Sequence, residues 1–572
     1  MENTLAGRPL KRFIRLLSLE KREIGHIYLY AVFQGIIYLS LPLGIQAIIS
    51  LVLANELSSS WGLLVVIVTL GTLVVGGLQL MQLSISERIQ QKIFARASFE
   101  FAYRIPKLKT ESLTNYYPPE LVNRFFDTLT VQKGLPKILI DLTTSFLQML
   151  FGLILLSFYH PMFIAFGLVL MVILGIIIRL TGPRGLATSL RESDKKYQLV
   201  FWLEEIARTM SSFKLAGDTS LALRKADKFV SEYLTARKQH FRVLMVQFGN
   251  AVAFKTLVTA GLLILGSVLL IQRQLNVGQF VASEIVIILI IASVEKLILG
   301  FETIYDVLTG LEKIGKITDL PLENHEGTSF DNFLSEDGIS LRVQELSFQL
   351  REGRHGLAHI SFHVRAGEKI CIAGHSGAGK TILLHAISGL YENYRGSISY
   401  NQIPLQNLDK ISLRNHIGDC LSQKNLFRGS LEENLHMGKD SISMQDVLWS
   451  LDRLRLTSFM QSLPQGLQTA IIPDSAEIPE GLARKLILAR CLAKRPQMLV
   501  MDDFFSLWEK EDRQHICDFL TCDEMKTVIA VSNEKMFAQN CDRIIILEEG
   551  QIRDIGTYEE IKQEPYFDNL FQ

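Results

Sequence analysis

The chain lacks the features that mark several protein classes. Its 59 Lys and Arg balance 59 Asp and Glu, so the formal net charge is zero. There is no bulk field to draw a nucleic acid or an acidic partner. Cysteine occurs only at positions 371, 420, 491, 517, 522 and 541. That excludes a disulfide framework from everything before Cys371, and the spacing matches no metal site. The six read as buried free thiols of a reducing cytosol. Charge is also missing from long runs: residues 27–55, 57–86 and 142–178 contain no Asp, Glu, Lys or Arg. The hydrophobic content of 48% is therefore uneven, concentrated before residue 300, whereas beyond residue 335 the composition is that of a globular domain. No cleavable signal peptide is expected, because the first apolar run is a full-length span. No peptidase-like domain is expected ahead of that span either, so substrate processing is not anticipated.

Crossing a hydrocarbon core of about 30 Å takes roughly 20 apolar residues. The first two runs supply one span each. Residues 142–178 are too long for one span, and Tyr159-His160-Pro161 breaks them into a hairpin. Residues 251–272 and 276–300 complete a set of six. Ahead of them, residues 9–17 mix basic and apolar side chains at helical spacing, as in a helix lying on a membrane surface. The candidate external turns 56–61, 159–162 and 272–277 hold a single basic residue, Arg273, whereas 88–137 and 179–242 are rich in Lys and Arg. This asymmetry puts the two long segments and both termini in the cytoplasm. The segments also look helical, so the spans extend as two arms whose tips, 116–124 and 210–217, suit docking on another domain. The expected divisions are an amphipathic segment 1–24, an all-α membrane domain 25–318, a polar linker 319–336 and a soluble domain 337–572.

In the soluble domain Ile370-Cys371-Ile372-Ala373 reads as a buried strand that runs into Gly374-His375-Ser376-Gly377-Ala378-Gly379-Lys380-Thr381. Helical periodicity follows. Strand, glycine-rich loop and helix in that order form a phosphate-binding loop, whose backbone N–H groups and helix N-terminus surround an anion. Lys380 would reach the β- and γ-phosphates of a nucleoside triphosphate, and the Thr381 hydroxyl would hold Mg²⁺. A chance Lys-Thr after a glycine turn would lack the strand and the helix. Downstream, the apolar strand 498–502 ends in Asp502 and Asp503. Asp502 would hold Mg²⁺ and the next carboxylate would polarise an attacking water. Buried strands at 527–531 and 543–547, with helices between, make this an α/β P-loop NTPase with a parallel sheet.

The whole order resembles an ATP-binding cassette (ABC) exporter half-transporter, six spans followed by one nucleotide-binding domain. Gln423 matches the family's glutamine loop, which implies a part in Mg²⁺ binding and catalysis. The resemblance implies a dimer, with each ATP between one chain's phosphate loop and the other's signature turn. The departures carry the most information. The family's catalytic glutamate is Asp503 here, one methylene shorter, and its switch histidine is Asn533, which can bond a γ-phosphate but offers no ring proton. The signature turn aligns with Ile478-Pro479-Glu480-Gly481. Pro479 brings neither hydroxyl nor N–H, and Glu480 places negative charge where an anion should sit. The adenine-stacking aromatic aligns with Leu350, unless a shift in register gives that role to Phe348. General-base help is worth ~10²–10⁴-fold, so ATP binding is expected to survive and hydrolysis to be slow.

Glu284, Glu295 and Glu302 share one face of the sixth span. Ionisable groups in spans face a cavity or a partner. A substrate pathway carrying Glu284 and Glu295 is expected somewhat ahead of a buried ion pair with Lys255. The reading overall is an ATP-driven exporter subunit of the plasma (inner) membrane, a homodimer sooner than a heterodimer, with an unidentified substrate and no nucleic-acid partner. The alternative is a gating subunit that binds ATP without appreciable hydrolysis.

Overall fold

The computed structural model describes residues 2–53, 59–113, 118–349, 355–421, 426–473, 478–503 and 505–571. The chain folds as two compact units. One comprises Met1–Leu108 and Asn115–Leu320, the other Lys109–Thr114 and Pro321–Gln572.

The first unit is helical. It begins with α1 (Glu2–Leu19), α2 (Lys21–Tyr38), α3 (Ser40–Leu53) and α4 (Ser59–Arg104). α5 (Pro118–Asn123), α6 (Asp127–Pro136), α7 (Thr143–Tyr159) and α8 (Met162–Arg208) follow. α9 (Met210–Leu215), α10 (Leu221–Ile271) and α11 (Val277–Thr318) complete it. Among the described residues, six helical stretches are long and apolar enough to cross a membrane, with α2 and α3 together forming the first. Their break at Leu39 precedes Pro42, which falls in the opening turn of α3, where a missing N–H costs no helical bond. The hairpin expected at Tyr159-His160-Pro161 separates α7 from α8. A π-helical turn (Lys137–Leu142) links α6 to α7 just after Pro136, which cannot donate to the helical ladder. At 46, 47 and 51 residues, α4, α8 and α10 run to about 70 Å, well beyond one hydrocarbon core. The helices approach closely at small residues: a Cβ on Gly152 of α7 would lie 3.0 Å from Ile290 of α11.

The second unit opens with β1 (Leu341–Gln349) and β2 (His355–Val364), then β3 (Lys369–Ala373) and α12 (Lys380–Ile387). β4 (Arg395–Tyr400), β5 (Ile403–Pro404), α13 (Lys410–His416) and β6 (Ile417–Cys420) come next. β7 (Gly429–Ser430), α14 (Leu431–His436), α15 (Met444–Arg453), α16 (Thr457–Ser462) and β8 (Ala470–Ile471) lead to α17 (Glu480–Ala493). Then come β9 (Met498–Asp502), α18 (Lys510–Thr521), β10 (Thr527–Val531), α19 (Lys535–Asn540), β11 (Arg543–Glu548) and β12 (Gln551–Gly556). The central sheet has the order β12-β11-β3-β10-β9-β6, parallel except for the edge strand β12. β1 and β2 lie outside it, in an antiparallel sheet of order β2-β1-β4-β5. β3 and β10 are buried throughout and β9 as far as Met501, and their apolar runs reflect a parallel sheet covered by helices on both faces.

Residues 109–114, just before the expected tip of the first arm, belong to this second unit. Lys109 pairs with Glu392 at 2.5 Å, and the Glu111 carboxylate accepts from the backbone N–H groups of Glu392 and Asn393 at 2.5 and 2.6 Å. Residues 116 and 117 of that expected tip lie outside the described residues.

Candidate nucleotide site

β3 ends at the C-terminal edge of the central sheet, between β10 and β11. There the loop turns on glycines for distinct reasons. A Cβ on Gly374 would sit 2.3 Å from the Leu547 carbonyl, so the strand can leave the sheet only without a side chain. Gly377 and Gly379 have φ of +86° and +96°, open to glycine and strained for other residues. Gly379 caps α12 without a side chain, leaving the helix's first N–H groups directed into the loop. Lys380 donates to the carbonyls of Gly374 (2.6 Å) and His375 (3.0 Å), which holds its ammonium within the curl. Burial pushes its pKa down, opposed by the charges of Asp502 and Asp503. A concave loop lined with N–H groups around a half-buried cation fits the phosphates of a nucleotide. The hard oxygens of Thr381 and Asp502 are of the kind Mg²⁺ takes.

Asp502 closes β9 in register with Val531 of β10, which also pairs with Ile372 of β3. Asp503 follows with φ of +41°. Its N–H donates to the Val531 carbonyl (3.1 Å), and its own carbonyl accepts from Arg484 Nη1 (2.9 Å). Burial raises the Asp503 pKa, with Arg484 and Lys380 opposing and Asp502 and Glu534 reinforcing. Asn533 is engaged with the loop. It donates from Nδ2 to the Gly374 carbonyl and accepts the Gly374 N–H at Oδ1, both at 3.2 Å.

At the aligned signature turn, Pro479 caps α17 and Glu480 begins it. Glu480 pairs with Arg484 one turn on, at 3.4 Å. Gly481 offers its carbonyl to the Trp508 indole at 3.0 Å. Phe348 is only 8% exposed, and its ring stacks on Tyr391 with centroids 4.8 Å apart. Leu350 and Gln423 lie outside the described residues. Sequence reasoning overlooked Arg484 and Trp508. The four-residue spacing of Glu480 and Arg484 on one helix was the available signal for the first.

In the first unit Lys255 of α10 and Glu295 of α11 come within 3.5 Å, with 55% and 43% of their side chains exposed. They line a cavity of about 670 Å³ together with Phe254, Thr259, Leu263 and Val294. The ion pair weighed for Glu295 forms, but half-exposed on a cavity wall and not buried. Glu284 lies further back on α11, partly buried.

Comparison with known proteins agrees with this geometry. A family model described as ABC transporter transmembrane region matches residues 24–294, and one described as ABC transporter matches 357–506. The uncharacterised ABC transporter ATP-binding protein YfiC of Bacillus subtilis is 26% identical over 274 residues, 48% of this chain and 45% of that protein. The transport/processing ATP-binding protein ComA of Streptococcus pneumoniae is 23% identical over 353 residues, 62% of this chain and 49% of that protein. The ATP-dependent lipid A-core flippase of Ralstonia nicotianae is 26% identical over 374 residues, 64% of this chain and 62% of that protein. The chain thus spans about half the length of the first two. A bacterial Atm1-family ABC exporter solved with ATP bound has the same fold, with a TM-score of 0.83 at 16% identity over 96% of this chain and 98% of that one. With a transmembrane region and an ATP-binding domain joined in the exporter arrangement, the chain belongs to the ABC transporter family as a multi-pass membrane protein.

Proposed function

We propose that the chain is one half of a dimeric ABC exporter that binds Mg²⁺ and ATP between two nucleotide-binding units and hydrolyses ATP slowly. Lys380, Thr381 and the loop 374–379 bind the phosphates, Thr381, Asp502 and Gln423 hold Mg²⁺, and Asp503 polarises the water. Leu350 or Phe348 lies beside the base, and Pro479, Glu480 and Gly481 face the ATP of the second chain. The observation that supports slow turnover is the pair of hydrogen bonds between the Asn533 amide and the Gly374 backbone. An amide that spends its donor and acceptor on the loop backbone is poorly placed to follow the γ-phosphate. The substrate pathway includes the cavity wall at Lys255 and Glu295, with Glu284 on the same helix. The protein sits in the plasma (inner) membrane with its nucleotide-binding unit and both termini in the cytoplasm. Cross-linking and mass measurement of the protein in lipid discs should give two identical chains. Recovery only with a different half-transporter refutes the homodimer. The reading as a gating subunit is favoured instead if ATP drives a conformational change while phosphate release stays at background.

A further inference from the structure

The segment after β9 is tied to α17 at two points. Arg484, buried one turn into the helix, donates to the Asp503 carbonyl at 2.9 Å and pairs with Glu480 at 3.4 Å. Trp508 reaches back from the other end of the segment to the Gly481 carbonyl at 3.0 Å. The packing between the ties is close, since a Cβ on Gly481 would lie 3.0 Å from the Leu507 carbonyl. Asp503 holds a φ of +41°, which residues with side chains rarely adopt. Such a conformation persists where its surroundings over-determine it. Here both backbone polar groups are engaged, the N–H by Val531 and the carbonyl by Arg484.

We propose that Arg484 is a positioning residue for Asp503, fixing the peptide that aims the carboxylate and joining it to the signature turn, so that the chain's two half-sites move as one block. The inference rests on the reading of this chain as an ATP-binding half-transporter. Two torsions separate an aspartate carboxylate from Cα, one fewer than for glutamate, so a backbone shift at Asp503 passes almost undiminished to the reacting group. Glu480 holds the other end of the guanidinium. The acid at the signature turn is thereby part of the tie.

The test uses the full-length protein in lipid discs, with R484Q and R484K compared by ATP affinity, single-turnover hydrolysis and backbone amide exchange. R484Q should leave the Kd for ATP within about threefold. It should slow single-turnover hydrolysis by about 10- to 100-fold, the scale of an ångström-level misplacement. Exchange should rise across residues 503–508 but not in β9 or β10. R484K keeps the charge and one donor and should recover part of both effects; it also carries the comparison if R484Q fails to assemble. Wild-type turnover in R484Q, unchanged exchange across 503–508, or equal losses in affinity and rate would overturn the proposal. So would hydrolysis that D503N leaves intact, although the nucleotide-binding reading would then stand. Absence of ATP binding by the unaltered protein refutes that reading as well.

Discussion

Gly374 and Gly377 lie three residues apart in one loop, yet alanine should damage them in different ways. At Gly377 nothing lies within 4 Å of an added Cβ, but φ is +86°. The whole penalty is therefore left-handed strain, about 1–2 kcal/mol. An empty loop can relax away from that conformation, so the strain returns when the nucleotide demands it. At 1.4 kcal/mol per tenfold, ATP affinity should fall about 5- to 30-fold with no change in melting temperature. At Gly374 φ is +159°, at the edge of the range side chains avoid, and the added Cβ also lies 2.3 Å from the Leu547 carbonyl. That oxygen is backbone of β11, the neighbour of β3, and it cannot rotate aside. Overpacking of this kind typically costs 1–3 kcal/mol, or about 2–10 °C for a domain near 250 residues. G374A should thus lower both the melting temperature and ATP affinity, whereas G377A lowers affinity alone. Thermal unfolding and equilibrium ATP binding of the purified variants decide the matter. Equal melting losses, or G377A binding ATP as the unaltered chain does, would refute the reasoning.

K380A should abolish ATP binding, measured by fluorescent-nucleotide titration, since it removes the ammonium held at the Gly374 and His375 carbonyls. Turnover of the unaltered protein in proteoliposomes should stay below ~1 s⁻¹, the lower end of ordinary enzyme rates; several per second would contradict the eroded-site reading. K255Q and E295Q should change transport or nucleotide-driven motion but leave folding nearly intact, because a half-exposed ion pair contributes at most about 1 kcal/mol. At Glu368, burial pushes the carboxyl up, yet Arg543 and the Arg365 N–H outweigh it and hold the pKa below 4.5. The stability this adds is complete above pH 4.5 and is lost as pH falls through the lower folded value. E368Q should therefore flatten the acid dependence of unfolding of the second unit, as read in denaturant midpoints.

The parts legible in the sequence follow from strong local physics. Charge-free runs mark spans because hydrocarbon tolerates little else. The phosphate loop is recognisable because glycine spacing, lysine and flanking periodicity all concern neighbours in the chain. The separate antiparallel sheet of β1, β2 and β4 was not legible, since alternation along a strand does not name its partner. The break between α2 and α3 carried a signal in Pro42, but an uninterrupted apolar run masked it. Contacts across distant elements were the least accessible. Nothing in Asn533 points to Gly374, and nothing in Phe348 points to Tyr391, 43 residues on. The Glu480–Arg484 pair shows the middle case, where helical spacing reveals a partnership but not that Arg484 also reaches Asp503.

The distribution of altered residues bears on assembly. In this family each ATP meets one chain's phosphate loop and the other's signature turn. In the proposed dimer Asp503 and Asn533 would alter the first face, and Pro479 and Glu480 the second. Pairing with an unaltered partner would leave each of the two interfaces with one modified half. A heterodimer that keeps one active site concentrates its losses at one interface, which this chain cannot do. Rescue by a partner is therefore a weak reason for it to pair outside itself. The altered residues are also bonded within the chain, Asn533 to Gly374 and Glu480 to Arg484. A side chain left facing the nucleotide would add an unpaired amide or charge to each site, whereas one bonded at home changes the site without that penalty. The proposed homodimer would accordingly carry two equal sites that bind ATP and hydrolyse it slowly.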